Sequence, residues 1–126
     1  VKNGAQHIAS LRDGRAVYLD GALVADVTTH PAFRGAVQSS ARLYDFQAAP
    51  ENVEWMTFDA GGGRRANRAW EKPRSYPQLI ERRKALSAWA KLSAGWIGRS
   101  PDHVASALIG QVMGIEVFAR HSAARA

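Results

Sequence analysis

The hexapeptide Gly98-Arg99-Ser100-Pro101-Asp102-His103 is the stretch of this 126-residue chain where residue types and spacing converge on chemistry. Ser100 is a favoured N-cap, Pro101 suits the first helical position, and Asp102 puts a carboxylate into the positively polarised first turn. A helix therefore starts there. Arg99 lies just outside the cap and His103 one turn inside it, so both side chains can flank the same helix start. A guanidinium, an imidazole and free backbone N–H groups make a small cationic corner suited to a phenolate, a carboxylate or another anion. The same spacing also admits a solvated Arg99 and a His103 that only neighbours the cap.

The helix carrying His103 is predicted over about 101–120. Val104, Leu108, Val112 and Ile115 fall on one side of it, and Ala105, Ile109, Met113 and Val117 fall beside them. It is apolar over more than half its circumference, which implies burial on several sides. Gly110 and Gly114 give it a track of small residues, each costing about 1 kcal/mol of helix propensity relative to Ala. So short a chain offers too few elements to cover such a helix, and a partner subunit or further polypeptide is expected against it.

Upstream, Ser75 and Gln78 stand at capping-box spacing and open a helix predicted over 76–94, with Gly95 as its C′ residue. Leu79, Arg83, Leu86, Ala90 and Ser93 line one side, widened by Ile80 and Trp89, and Glu81, Arg82 and Lys84 are expected in solvent. Pro31, after Thr28-Thr29-His30, opens another helix over 31–48, whose Phe33, Val37, Ala41 and Tyr44 stripe reads as core. Asp20-Gly21 marks a hairpin within about 15–27, since that pair tolerates the positive φ of a tight turn. Trp55–Phe58 reads as a short strand, Gly61-Gly62-Gly63 as a permissive turn, Arg64–Trp70 as a returning strand, and the first ten residues as an arm. The glycines lack the Gly-Lys-Ser/Thr ending of a phosphate loop. The predicted fold is mainly α with a small β-hairpin, in one domain spanning 1–126.

An apolar fraction of 46% is that of a globular chain, and no apolar run approaches the ~18 residues of a membrane span. With no charged-then-apolar leader and no Cys, a cytoplasmic location is expected. His7, His30, His103 and His121 show no ligand spacing, so no metal is predicted. The net charge of +6 is local: Arg64 to Lys84 holds eight basic residues against two acidic ones, and the rest of the chain carries nine of each. Such a stripe can track phosphates, form a solvated face or meet an acidic neighbour. No nucleic-acid reader motif accompanies it, and nucleic acid is not the expected partner.

Gly4 to Gly21, Asp26-Val27-Thr28-Thr29-His30-Pro31-Ala32-Phe33, Pro73-Arg74-Ser75-Tyr76 and Gly98-Arg99-Ser100-Pro101-Asp102, in that order, resemble the amino-terminal domain of the 4-hydroxyphenylacetate 3-monooxygenase oxygenase components. Related flavin-dependent aromatic hydroxylases and pyoverdine-chromophore-type enzymes open similarly. The resemblance covers nearly all of this chain and about the first quarter of the family's usual length. It implies an acyl-CoA dehydrogenase-like fold with a helical amino-terminal domain, in enzymes commonly assembled as homo-oligomers. It also implies reduced FAD supplied by a separate flavin reductase component, and hydroxylation of a phenol ortho to its hydroxyl group. Arg99 matches the Arg that helps hold the phenolic oxygen, and His103 stands where the hydroxyphenylacetate enzymes usually carry Tyr. Arg99 and His103 are thus the expected catalytic and substrate-binding residues. The resemblance places the flavin-binding stretches beyond Ala126, so the 126 residues alone are expected to be inactive. The alternative of a different class is a non-catalytic helical module that associates through its apolar last helix.

Overall fold

The protein, seen in a computed structural model that describes residues 1–95 and 101–120, divides into two compact units, Val1–Glu54 and Trp55–Ala126. The first unit opens with a helix, α1 (Gly4–Ser10), where an arm was expected. Asn3 Oδ1 accepts from Gln6 N–H at 2.9 Å and Gln6 Oε1 accepts from Asn3 N–H at 3.0 Å, a reciprocal capping box. That Asn-x-x-Gln spacing was the signal available in the sequence.

The helix α1 lies on α2 (Pro31–Ala48), and Gly4 is where they meet. Gly4 N–H donates to Asp45 Oδ1 at 2.8 Å, and a Cβ added at Gly4 would fall 2.6 Å from the Ala41 carbonyl oxygen. The Asp45 carboxylate, which the methyl group would also meet, can swing aside, but the Ala41 oxygen belongs to backbone and cannot. A penalty of about 1–3 kcal/mol follows, and α1 amides should exchange with solvent roughly 5- to 150-fold faster. Unchanged protection would show that the contact tolerates a methyl group.

Stacking of His7 on Tyr44, centroids 4.3 Å apart, seals the same junction. Burial, aided by the Lys2 charge, lowers the His7 pKa below 6.5. The unfolded chain then binds that proton more readily, so the His7 contribution is fully present above pH 6.5 and fades as pH falls through the lower folded value. Urea titrations at pH 7.5 and 5.5 should show a loss on acidification that His7→Gln reduces.

Strands β1 (Val17–Leu19) and β2 (Ala22–Val24) pair antiparallel with Val17 opposite Val24. Asp20 and Gly21 both adopt positive φ, 51° and 79°, as the expected two-residue turn requires. In α2 the N-cap is His30, whose Nδ1 accepts from Ala32 N–H at 3.2 Å, and Pro31 is the first helical residue. The helix buries Val37, Ala41, Leu43 and Gln47.

A single turn, α3 (Val53–Met56), replaces the start of the strand expected from Trp55. Strand β3 (Thr57–Asp59) follows and pairs with β4 (Arg65–Asn67), Thr57 opposite Asn67. Gly61, Gly62 and Gly63 all have positive φ in the connecting turn, and Asp59 Oδ1 accepts the Gly61 N–H at 2.8 Å. A carboxylate thus occupies the donor that an anion would need. Arg68–Trp70 form a 3₁₀ turn where the strand was expected to continue. The core of this second unit comprises Met56, Thr57, Ala69, Ala85, Trp89 and Ala105.

Helix α4 (Tyr76–Leu92) starts at the N-cap Ser75, whose Oγ accepts from Gln78 N–H at 3.4 Å. The Gln78 side chain bonds Arg74 N–H rather than that of Ser75, so the box is displaced by one residue. At its end Gly95 N–H reaches the Ala90 carbonyl and Ala94 N–H the Lys91 carbonyl, the Schellman pattern. Ala94, with φ 51°, takes the C′ position expected of Gly95, which follows it. The last helix is also broken: α5 (Pro101–Met113) gives way at Gly114 to α6 (Ile115–Ala119). A glycine without side-chain capping is the weakest point of a continuous helix.

Candidate functional site

Of the two sequence-predicted site residues, His103 is described and Arg99 is not. Arg99 and Ser100 lie outside the described residues, as does His121. His103 sits exposed in the first turn of α5, beside Asp102. The helix begins at Pro101, as expected.

What holds that helix start is a residue expected in solvent. Arg82 is buried, 9% exposed, because α4 turns its Arg82, Ala85 and Trp89 face inward and leaves Leu79 and Ile80 partly exposed. The residues meeting it explain the rotation. Arg82 Nη2 donates to the Ala69 carbonyl of the 3₁₀ turn at 2.8 Å and to Ser106 Oγ of α5 at 2.9 Å, and Nε donates to the same carbonyl at 3.3 Å. Burial lowers the Arg82 pKa, and the nearby Asp102 and Glu71 carboxylates act against that shift. Asp102 Oδ1 is itself buried and finds no hydrogen-bond donor among the described residues. One guanidinium therefore ties α4, the 3₁₀ turn and the first two turns of α5 together.

Two further arginines of the basic stripe also face inward. Arg68 donates from Nε to the Trp55 carbonyl and from Nη2 to the Thr57 carbonyl, both at 2.8 Å, and from Nη1 to Glu71 at 2.7 Å. Arg65 Nε donates to Thr57 Oγ1 at 2.7 Å. Three of the eight basic residues of that stripe are thus engaged with the protein's own oxygens, whereas Arg64, Lys72, Arg74, Arg83 and Lys84 are exposed. Sequence reasoning missed these roles because arginine is ordinarily a surface residue.

The described surface carries a shallow groove between Trp55 and α4, flanked by Arg83, Lys84 and Lys91, and a cleft under β2 edged by Arg12 and Asp26. His103 lines neither. No cluster of three metal-ligating side chains occurs among the described residues. No helix there is long and apolar enough to cross a membrane. Along α5 and α6, Val104, Leu108, Val112, Val117 and Phe118 are 45–58% exposed, whereas Ala105 is fully buried. Among the described residues of α5, cover is confined to Ala105 and its partly buried neighbours Asp102, Ser106 and Ile109.

Comparison with known proteins places these features. The family described as 4-hydroxyphenylacetate 3-hydroxylase N terminal matches residues 3–126. The chain is 46% identical over 107 residues to a Streptomyces globisporus monooxygenase acting on a carrier-bound 3-amino-3-(3-chloro-4-hydroxyphenyl)propanoyl group, covering 83% of this chain and 20% of that protein. It is 43% identical over 106 residues to the Pseudomonas aeruginosa 4-hydroxyphenylacetate 3-monooxygenase oxygenase component, covering 82% and 20%. The crystal structure of such an oxygenase component complexed with FAD and 4-hydroxyphenylacetate superposes with a TM-score of 0.80 at 33% identity, over 88% of this chain and 23% of that one. The chain thus spans about a fifth to a quarter of the length of these relatives. With the family match running almost from end to end and the fold matching that of a solved oxygenase component, the chain belongs to the 4-hydroxyphenylacetate 3-hydroxylase amino-terminal family.

Proposed function

We propose that residues 1–126 are the amino-terminal domain of a cytoplasmic, reduced-FAD-dependent monooxygenase that hydroxylates a phenol ortho to its hydroxyl group. The observation that carries this reading is the collinear family match over residues 3–126, joined to the 0.80 TM-score with oxygenases solved with FAD. In this reading Arg99 and His103 face the phenolic oxygen, reduced FAD comes from a separate reductase component, and its binding groups come from further polypeptide. No residue described here is assigned to the flavin. A reacting pair must be held within roughly 3–3.5 Å, and this chain alone supplies at most one wall, so by itself it is inactive. The exposed side of α5 and α6 supports the same reading. Fully burying a Val, Leu or Phe side chain contributes about 1.5–3 kcal/mol, which favours cover by remaining domains or by other subunits of a homo-oligomer.

The test is turnover of the full-length polypeptide with enzymatically reduced FAD, oxygen and a panel containing 4-hydroxyphenylacetate and 4-nitrophenol. Catechol formation that needs both the phenol and reduced FAD is the expected result. A folded oligomer with no catechol product and no affinity for FAD or phenols would instead establish the non-catalytic interaction module, which the same apolar face favours.

A further inference from the structure

We infer that Arg82 is a positioning residue that holds the start of α5, and with it His103, against the 3₁₀ turn Arg68–Trp70. The inference rests on the functional reading above for what His103 does, but the hold itself is visible in the fold. Nη2 bridges the Ala69 carbonyl and Ser106 Oγ, at 2.8 and 2.9 Å, so the guanidinium spans the two elements. Ala69 and Ala105, both fully buried, mark where α5 rests on the turn, and neither methyl group can fix the rotation of the helix about its axis. A charge-assisted hydrogen bond to Ser106 can, because it has a direction. Ser106 follows His103 by three residues and therefore lies on nearly the same helical face. A rotation of α5 that broke the Ser106 contact would swing His103 with it. The Asp102 carboxylate, near enough to influence Arg82, places a second charged group of the same turn under the same guanidinium.

The expectation differs from that for a residue that only stabilises. In the full-length enzyme, Ser106→Ala removes the α5 end of the bridge and leaves the Arg82 bonds to Ala69. Hydrogen exchange of amides Ala105 to Ile109 should quicken about tenfold, and KM for the phenol should rise about three- to tenfold through lost alignment. Arg82→Met should do the same more strongly, with partial recovery in Arg82→Lys; if the Met variant fails to fold, Ser106→Ala still decides. In a His103→Ala background, Ser106→Ala should move KM by less than about twofold, since neighbouring groups that act as a unit are non-additive. Equal effects in both backgrounds would overturn the positioning role, and unchanged exchange would overturn the hold. Wild-type enzyme that makes no catechol would overturn the functional reading and this role together, and the exchange result would still tell whether α5 is anchored.

Discussion

Arg68→Ala should destabilise the second unit by about 3 kcal/mol, toward the lower end of the 3–5 kcal/mol that follows loss of one partner from a buried ion pair. The Arg68 and Glu71 side chains are only 14% and 11% exposed, and their contact is 2.7 Å. Truncation leaves the Glu71 carboxylate buried and takes donors from the carbonyls of Trp55, in α3, and Thr57, the first residue of β3. Arg82 softens the loss, because its charge also acts near Glu71. Against a typical total stability of 5–15 kcal/mol, the change is a large fraction. Urea unfolding of the full-length protein checks it, with the Glu71→Gln change added to separate the orphaned charge from the lost carbonyl bonds. The double variant should recover part of the loss, since a neutral amide is cheaper to leave buried than a carboxylate. A midpoint within error of wild type for Arg68→Ala would show that the pair contributes nothing net.

The inward-facing arginines Arg65, Arg68 and Arg82 mark the limit of what the chain discloses before it is folded. Local chemistry was legible wherever a residue type has one backbone use: Asp20-Gly21 at the hairpin, Pro31 and Pro101 at helix starts, Ser75 at a cap. The arm predicted at the amino terminus is α1, and its Asn3-x-x-Gln6 box was overlooked in a segment of mixed polarity. Helix existence followed from periodicity, but which face of α4 is buried did not. Leu79 and Ile80 are the apolar choice, yet Arg82 is inside, because Ala69 offers a buried carbonyl and Ser106 a hydroxyl that only tertiary structure brings within reach. Met56 and Thr57 are the largest fully buried side chains among the described residues. They sit in a segment whose sequence reads as strand throughout but folds as one helical turn and then a strand. The proposed site is legible for a different reason. Arg99 and His103 stood out by their spacing around one helix start, and their proposed roles come from likeness to a family, while the fold contributes the Arg82 bridge beneath α5.

Arg99→Ala in the full-length enzyme is expected to lower kcat/KM for the phenol about 10²- to 10³-fold, the usual effect of deleting one preorganised donor to a reacting oxyanion. In the proposed site the guanidinium meets the phenolic oxygen through a charge-assisted bond, about twice as strong as a neutral one. In the same proposal it shares that oxygen with His103, near a helix start whose dipole favours negative charge. Holding negative charge on that oxygen enriches the ring at the ortho carbon, where the new oxygen is to be placed. The loss should therefore appear in kcat as well as in KM, because a phenol left protonated gives up ring electrons less readily than the phenolate that the guanidinium favours. Lysine should rescue poorly, since a single ammonium cannot reproduce the planar fork. Added guanidinium, by contrast, should restore part of the Arg99→Ala activity by occupying the space left. His103→Tyr should act differently, altering the relative kcat/KM among 4-hydroxyphenylacetate, 4-nitrophenol and other phenols rather than abolishing turnover, because a hydroxyl and an imidazole both bond a phenol oxygen but differ in reach and in available charge. Steady-state kinetics on the phenol panel reads both variants. Turnover by Arg99→Ala within about threefold of wild type, far short of the loss expected for such a donor, would remove Arg99 from the site and leave the α5 start without the cation that makes it selective for a phenolate.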